Sequence, residues 1–513
     1  MSYCRERRAT TLWKVITFLY IVALAAATKP SSRLQPQYAL KKSNYKQDAV
    51  FSIRGGGKGV GSAKKARGQA PKKSTTSDGG ASIATSVFNL ANNVAGAGIL
   101  TLAAGKASGT GWIPSIAICL TLAAVSSHTF SLVGKSCELT NCDSFKDLWA
   151  YAFGPKTAWV VDTMVFVQCF MVSILYTGLL GDVFSALLRG TLGIVNQWTT
   201  RTSLILMAAV SVLFPLNLIR DLSALGFTSI LGLTAVLYTV GFMVVRALDG
   251  TYGIGAATGT SSIQEGAVVG KFIAEGLVPR IPSFAKSSLW NVDLNSLVLT
   301  SNLGLAFISH YNAPSYWKSL GKSATSKTFS IVSRRAYLIL ATIYTTTMVA
   351  GYATFGDVSM GNILLNYSSS DKLATLGRLA TGLSIIFGFP LISNGCREGF
   401  KNASDALGWF GGNGAVSNPK HHTKLVLSLL VVTTSLAIVA KDVGLVAGVT
   451  GALMGSSLVY ICPTLLYSKI VEKRFGTDSN EYQQAKKNLL WIPFGIFTAS
   501  MGVTMTLKNA LGK

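Results

Sequence analysis

Acidic residues, histidine and cysteine are all scarce in this chain. Its 513 residues include only 21 Asp and Glu, four His and seven Cys, against 46 Lys and Arg. Carboxylates, imidazoles and thiols carry most acid–base, nucleophilic and metal chemistry. No His/Cys/Asp cluster, nucleophile motif, metal-ligand spacing or disulfide framework stands out here. The sequence therefore argues against an enzyme and predicts no catalytic residues, no metal and no organic cofactor.

Long apolar runs dominate the rest of the chain. Hydrophobic residues make up 49% of the sequence, charged residues 13%, and the mean hydropathy is +0.43. These values indicate an all-α, multi-pass integral membrane protein rather than a set of soluble domains. Apolar runs of about 20 residues predict 11 transmembrane helices, at 83–106, 112–134, 158–180, 202–219, 224–246, 294–311, 336–355, 375–394, 425–441, 443–467 and 488–507.

The loops between these spans fall into two sets that differ in charge. The first set carries 18 Lys and Arg and the opposite set about ten. The positive-inside rule places the richer set, with the basic N-terminus, in the cytosol or its topological equivalent. This bias also accounts for the net charge of +25, so no nucleic-acid partner is expected. The richer set, called the basic side below, comprises 135–157, 220–223, 312–335, 395–424 and 468–487.

The first 80 residues differ in composition from the membrane domain predicted at 81–513. Residues 1–28 have basic residues, a short apolar run and then small residues, which is the layout of a signal peptide. An uncleaved anchor, giving a twelfth crossing, is the alternative. Residues 29–80 are rich in Ser, Gly, Lys and Arg, so we expect a disordered tail similar to an organelle transit peptide. A plastid membrane, an endomembrane, the vacuole and the plasma membrane all stay open.

The first predicted span is interrupted at its centre. Residues 86–100 read SVFNLANNVAGAGIL, with two asparagines followed by Gly96, Ala97 and Gly98. Glycine costs about 1 kcal/mol relative to alanine inside a helix. Backbone groups freed by a break cannot stay unsatisfied in hydrocarbon, so a break is tolerated where it lines a cavity. We therefore expect a binding site at this position.

The sixth predicted span has a similar interruption. Ser301, Asn302 and Gly304 lie at its centre, and His310 and Pro314 follow. Paired broken spans, five helices apart, are typical of two inverted five-helix repeats with a binding site at the midplane. Small-residue faces for close helix packing are the alternative. That alternative explains the glycines but not the accompanying asparagines.

Five stretches, in order along the chain, resemble the amino acid/auxin permease family. They are the S-x-x-N-L-x-N and G-x-G-I-L pattern of 86–100, GLLGD at 178–182, PLNLIRDLSALGFTSILGL at 215–233, AFISHYNAPSYWKSL at 306–320 and GYATFGDVSMGNIL at 351–364. The resemblance covers roughly 83–507, and sodium-coupled neutral amino acid transporters and vacuolar amino acid transporters are the most similar branches. It implies the leucine-transporter-type 5+5 inverted repeat with broken helices 1 and 6. It also implies secondary active transport of amino acids by alternating access.

The chemistry of a zwitterionic substrate suggests roles for the residues at the two breaks. Free N–H groups at the start of the second half-helix can bind a carboxylate, helped by the positive end of the helix dipole. Unwound carbonyls at both breaks can accept from the ammonium group, and an aromatic ring can wall the side chain. The predicted substrate-binding residues are Asn92, Gly96, Ala97, Gly98, Ser301, Asn302, Gly304 and Phe307.

The coupling ion is left open between H+ and Na+. In the sodium-coupled branch, the residue matching Asn92 and a hydroxyl residue on the eighth helix form a sodium site. Here positions 386 and 388 have no hydroxyl, and Ser384 is the nearby substitute. His310 is the candidate proton carrier, because imidazole changes charge near neutral pH. A hydrogen-bonded structural histidine, where a helix meets the interface, is the stronger interpretation of the same residue.

The partners expected of such a protein are an amino acid and the lipid bilayer, and we expect a monomer. An amino acid sensor that uses the transporter fold, with the basic tail signalling to a partner, is the alternative function. Tyr176 and Gln168 lie near one face of the third span. A tyrosine there could close over substrate, although ordinary helix packing also explains both residues.

Overall fold

The computed structural model describes residues 80–219, 228–254, 270–408 and 421–511. Within these ranges the chain is helical, and strand pairing is limited to one isolated bridge between Ser283 and Gly356. The all-α architecture expected from the sequence is therefore confirmed. The signal-like and transit-like segments predicted before residue 80 lie outside the described residues.

The first span is a bent pair of helices, α1 (Ile83–Val94) and α2 (Leu102–Ala107). Ser82 caps α1, because its hydroxyl accepts the N–H of Thr85 at 3.1 Å. Gly96 is extended, with φ −104° and ψ −169°, and a 3-10 turn at Ala97–Thr101 leads into α2. The two halves of the span meet at an angle of 52°. The break predicted from the Asn and Gly residues is therefore present.

Nine further helices within the described ranges are long and apolar enough to cross a membrane. They coincide with nine of the predicted spans, while the sixth span is a discontinuous pair, α8 and α9. Apart from a single helical turn at Lys271–Ala274 and short 3-10 turns, the remaining helices are α3 (Trp112–Thr140), α4 (Phe145–Phe153), α5 (Pro155–Thr191), α6 (Arg201–Leu218), α7 (Thr228–Leu248), α8 (Ser296–Ala306), α9 (Ala313–Ser319), α10 (Ser326–Phe355), α11 (Lys372–Ala406), α12 (His422–Val439), α13 (Val443–Phe475) and α14 (Asn480–Leu511).

Several helices run well beyond the spans expected from hydropathy. The eighth span was expected at 375–394, but α11 continues to Ala406. The added turns contain Arg397 and Lys401, which both pair with Glu398. Charged residues are compatible with a helix that has left the hydrocarbon, so hydropathy locates the membrane crossing but not the end of the helix.

Glycines allow the helices around the site to approach closely. The helix α11 packs along α5 and α7, and α8 packs on α13. A Cβ atom at Gly377 of α11 would lie 2.4 Å from the ring of Phe242 on α7. A Cβ atom at Gly451 of α13 would lie 1.8 Å from the carbonyl oxygen of Ser301. These contacts are small-residue packing of the kind common between membrane helices.

The side opposite the basic side is closed by loop contacts and ion pairs. Gly111 at the start of α3 donates its N–H to the carbonyl of Asn291 at 2.9 Å, which brings the segment before α8 over α3. Arg246 at the end of α7 binds both carboxylate oxygens of Asp371 at the start of α11, at 2.8 and 2.7 Å. Tyr252 donates to the same carboxylate at 3.0 Å. These bonds tie α7 and α11 together on this side.

Candidate functional site

A cavity of about 270 Å³ begins at the first break and runs toward the basic side. It lies between α1 and the 3-10 turn that precedes α9 on one wall and α5 and α11 on the other. Its lining residues are Asn92, Asn93, Ala95, Gly96, Phe145, Lys146, Val161, Asp162, Val165, Cys169, Tyr176, Gly232, Tyr311, Asn312, Ser384, Gly388, Leu391, Ile392, Gly395, Glu398, Gly399 and Asn402.

The cavity is elongated along the two long helices of its wall. On α5 its lining includes Tyr176 and Asp162, and on α11 it includes Ser384 and Glu398. Each pair is 14 residues apart, which is about 21 Å along a helix at 1.5 Å per residue. The inner end at the break is therefore well separated from the mouth.

The backbone at the first break presents both donors and acceptors. The N–H of Ala95 bonds to the carbonyl of Ala91, and that of Gly96 to Val94. The first bond of the next turn is from the N–H of Ile99 to the carbonyl of Gly96, at 3.4 Å. The N–H groups at 97 and 98 precede that bond and have no acceptor within the turn. They form the N-terminus of a half-helix, which suits an anionic group.

Tyr344 of α10 connects the two broken spans. Its hydroxyl lies 2.9 Å from the carbonyl oxygen of Val94, the last residue of α1, and 2.7 Å from that of Ala306, the last residue of α8. The side chain is fully buried. A Cβ atom at Gly98 would lie 3.5 Å from the Cα of Ala306, so the two breaks are also in direct contact.

Asn92 and Ser384 lie on opposite walls of the cavity but face the same point. A Cβ atom built on Gly232 of α7 would lie 3.4 Å from the Ser384 Oγ and 3.8 Å from the Asn92 Oδ1. Both side chains line the cavity. The structure therefore brings together two of the three residues predicted to take part in ion coupling.

His310, the third coupling candidate, is outside the cavity lining. It is completely buried, and its Nε2 lies 3.0 Å from both the carbonyl of Ser126 and the hydroxyl of Thr129 on α3. Its ring also packs edge-on against Phe130, with centroids 5.5 Å apart. These contacts anchor the start of α9 to α3, as a structural histidine would.

The sixth-span break was predicted at Ser301, Asn302 and Gly304, but these residues are helical within α8 and the chain leaves the helix only after Ala306, at Phe307. Those three residues and Phe307 also lie outside the cavity lining. Asn302 donates to the carbonyl of Thr101 at 3.0 Å, which ties α8 to the turn after the first break. A Cβ atom at Gly304 would lie 3.0 Å from the carbonyl oxygen of Gly451, and Ser301 contacts the same glycine. Phe307 is fully buried against Tyr344, with ring centroids 4.9 Å apart. These four residues hold the break in position, and substrate contact by them stays a prediction.

Tyr176 of α5 lies between the large cavity and a small pocket of about 30 Å³ on its other side. Its hydroxyl would be 3.1 Å from a Cβ atom on Gly96, and its ring 3.8 Å from one on Gly388. Tyr176 is thus held between two glycines at the inner end of the cavity. The gating position that the sequence suggested for this tyrosine is compatible with its placement.

The cavity mouth contains charged and polar residues that sequence patterns did not single out. Lys146 of α4 lies 2.8 Å from Asp162 of α5, and Asn402 of α11 donates to the same carboxylate at 3.4 Å. Glu398 lines the facing wall. No local motif marks these residues, because they meet only when α4, α5 and α11 pack together.

In the part of the chain that the structure describes, no group of three His, Cys, Asp or Glu side chains could hold a metal ion. The cavity is lined by uncharged polar groups near the break and by charges only near its mouth. Such a lining suits a small polar molecule that carries its own balanced charges.

Comparisons with known proteins agree with this geometry. A protein of Danio rerio with the provisional name sodium-coupled neutral amino acid transporter 11 is 26% identical over 405 residues, which are 78% of this chain and 82% of that protein. Its Mus musculus namesake is 24% identical over 435 residues, 84% and 86% of the two chains. Solute carrier family 38 member 10 of Homo sapiens is 23% identical over 386 residues, 73% of this chain and 30% of the relative.

A family model described as transmembrane amino acid transporter protein matches residues 79–508. The match covers both broken spans, the whole cavity wall and every long apolar helix described above. It confirms the family resemblance seen in the five sequence stretches and identifies a multi-pass membrane protein. The chain belongs to the transmembrane amino acid transporter family.

Proposed function

We propose that this protein carries neutral amino acids across its membrane by secondary active transport with alternating access. The observation that carries the proposal is the cavity that joins the first helix break to the basic side, while ion pairs and loops close the opposite side. In an alternating-access cycle this arrangement is a state open toward the basic side. The relatives whose names specify neutral amino acids support the substrate class.

The proposed substrate site is the first break. The N–H groups at Ala97 and Gly98 bind the substrate carboxylate, and the backbone around Asn92 and Gly96 accepts from the ammonium group. No charged side chain lines this end of the cavity among the described residues, so a substrate with balanced charges leaves no uncompensated charge in the membrane. A substrate amino acid with a charged side chain would be costly to bury here.

The proposed coupling ion is Na+, held near Gly232 by Asn92 Oδ1, Ser384 Oγ and carbonyls of the break. Unwound carbonyls beside neutral oxygen ligands are the usual way in which broken helices bind this ion. Both side-chain oxygens lie within 3.8 Å of a Cβ atom built on Gly232, which supports a shared cation there. The names of these relatives specify sodium coupling, which supports the same ion.

The test is uptake of a panel of labelled amino acids into proteoliposomes that contain the purified full chain. We expect uptake of neutral amino acids under an inward Na+ gradient and little uptake when K+ replaces Na+ at the same pH. Uptake driven by a pH gradient without Na+ would overturn the sodium assignment. Failure of every amino acid under both gradients would overturn the transport proposal itself.

A further inference from the structure

The mouth of the cavity contains a buried charge that the proposed transport site does not use. Asp162 is almost fully buried, with 7% of its side chain exposed, and lines the cavity wall on α5. Its Oδ2 lies 2.8 Å from the Lys146 Nζ, yet it has no well-aligned hydrogen bond within the described residues. Lys146 is 38% exposed. The carboxylate is therefore shielded from solvent, while the ammonium that pairs with it is partly open to solvent.

We propose that Lys146 and Asp162 form a second, weaker binding site for zwitterionic amino acids on the route between the helix break and the basic side. The inference rests on the proposed transport function. An α-amino acid carries one ammonium and one carboxylate on adjacent carbons. It can bind Lys146 through its carboxylate and Asp162 through its ammonium, so one ion pair is exchanged for two.

The electrostatics favour this ligand class over charged ones. Removing one partner from a buried ion pair leaves an uncompensated charge, which is strongly unfavourable. A zwitterion supplies a partner to both residues and keeps the net charge of the site unchanged. A cationic or anionic amino acid would add a net charge to the same pair.

The surroundings of the pair suit the rest of an amino acid. Phe145, Val161 and Val165 line the cavity beside the pair and offer apolar surface to a side chain. Asn402 holds the far carboxylate oxygen of Asp162 from α11. Glu398 across the mouth already has Lys401 at 3.0 Å, so it does not compete for Lys146.

The site is distinct from the helix break, because the two lie about 21 Å apart along α5. One amino acid cannot contact both places at once. A site on an exit route must release its ligand readily, and the partial exposure of Lys146 indicates that binding there is weaker than in a desolvated pocket. We therefore expect two binding sites of unequal affinity in one cavity.

The experiment is equilibrium binding to the full chain in lipid nanodiscs, using as probe the neutral amino acid with the highest uptake in the proteoliposome panel. The double variant K146M/D162L replaces the pair with apolar side chains of similar size, a change that a merely structural ion pair tolerates. We expect two sites in the wild type and one in the variant. The N-acetyl and methyl ester derivatives of the probe each lack one charge and should fail to compete for the weaker site.

Two variants make the result specific. K318M/D143L removes a matched Lys–Asp pair, 3.2 Å apart and well exposed, outside the cavity lining, and should keep both sites. K146M/D162N serves if the first variant does not fold. Two sites in every variant, or a single site in a wild type that transports, would overturn this inference alone. A wild type that neither binds nor transports any amino acid would instead overturn the proposed function.

Discussion

At the scale of single residues, Gly96 offers the most direct test of the proposed function. A Cβ atom there would lie 3.1 Å from the Tyr176 hydroxyl, so Gly96→Leu should fill the inner end of the cavity and push that ring away. We expect amino acid uptake to fall at least about tenfold, equivalent to ~1.4 kcal/mol, with normal membrane insertion. Gly241→Leu is the matched control, because nothing lies within 4 Å of a Cβ atom at that glycine. Equal uptake by both variants would mean that substrate does not use the break.

Ser384 tests the coupling ion rather than the substrate. Ser384→Ala removes one proposed Na+ ligand, so the Na+ concentration for half-maximal uptake should rise by about tenfold, the loss expected for one hydrogen-bond-strength contact to an ion. The substrate KM at saturating Na+ should change much less. Ser500→Ala is the control, because that serine is exposed on α14 and bonds only to its own helix. An unchanged Na+ dependence in Ser384→Ala would argue for another ion or another site.

The sequence predicted some of these residues and missed others for physical reasons. Asn92 and Gly96 stand out because asparagine and glycine are unfavourable inside a membrane helix, and both line the cavity. Gly304 stands out for the same reason, yet it packs on Gly451. A local pattern reveals a weakened helix but not whether the space beside it holds a ligand or a neighbouring helix. No sequence pattern marked Asp162, because its contacts come from α4 and α11, which meet α5 only in the folded structure.

At the scale of helices, the two broken spans act as one unit. Besides the Tyr344 bridge, the N–H of Ala81 bonds to the carbonyl of Ser319 at 2.8 Å, so α1 and α9 are joined at their ends on the basic side. Tyr316 of α9 donates to the carbonyl of Asn89 on α1 at 3.4 Å. The Asn and Gly residues predicted a break in each span but placed that of the sixth span several residues before its position after Ala306. They could not show these bonds between α1 and α9, because each joins residues more than 200 positions apart.

Tyr344→Phe should weaken that unit without disturbing its packing. The change removes the hydroxyl from two buried carbonyls. That of Val94 keeps the N–H of Gly96, whereas that of Ala306 loses this donor, and an unsatisfied buried group costs about 1–3 kcal/mol. We expect kcat for uptake to fall by ~5- to 150-fold with a smaller change in substrate binding, because the bridge fixes how the helices move rather than contacting the cavity. Tyr460→Phe is the control, since the Tyr460 hydroxyl is buried and has no hydrogen-bond partner within the described residues. A parallel loss of binding and thermal stability in Tyr344→Phe would indicate a purely structural role.

At the scale of the whole molecule, the transport machinery is contained in the family-matched region, and the long basic N-terminal segment lies outside it. The match begins at residue 79, and the first contacts of the described chain are those of Gly80 and Ala81 with the end of α9. A transporter should therefore need the first 79 residues for delivery or regulation, but not for flux.

Deleting residues 2–79 separates the transporter from the sensor interpretation. In proteoliposomes, where no targeting is required, the shortened protein should take up amino acids within about twofold of the full chain, because proteins with the same site and gates retain the same transition-state energy. Gly80 is kept so that its contact with Leu320 is preserved. If both the full and the shortened proteins bind amino acid but show negligible flux, the protein is a sensor. A loss of flux only in the shortened protein would instead assign the N-terminal segment a direct part in transport.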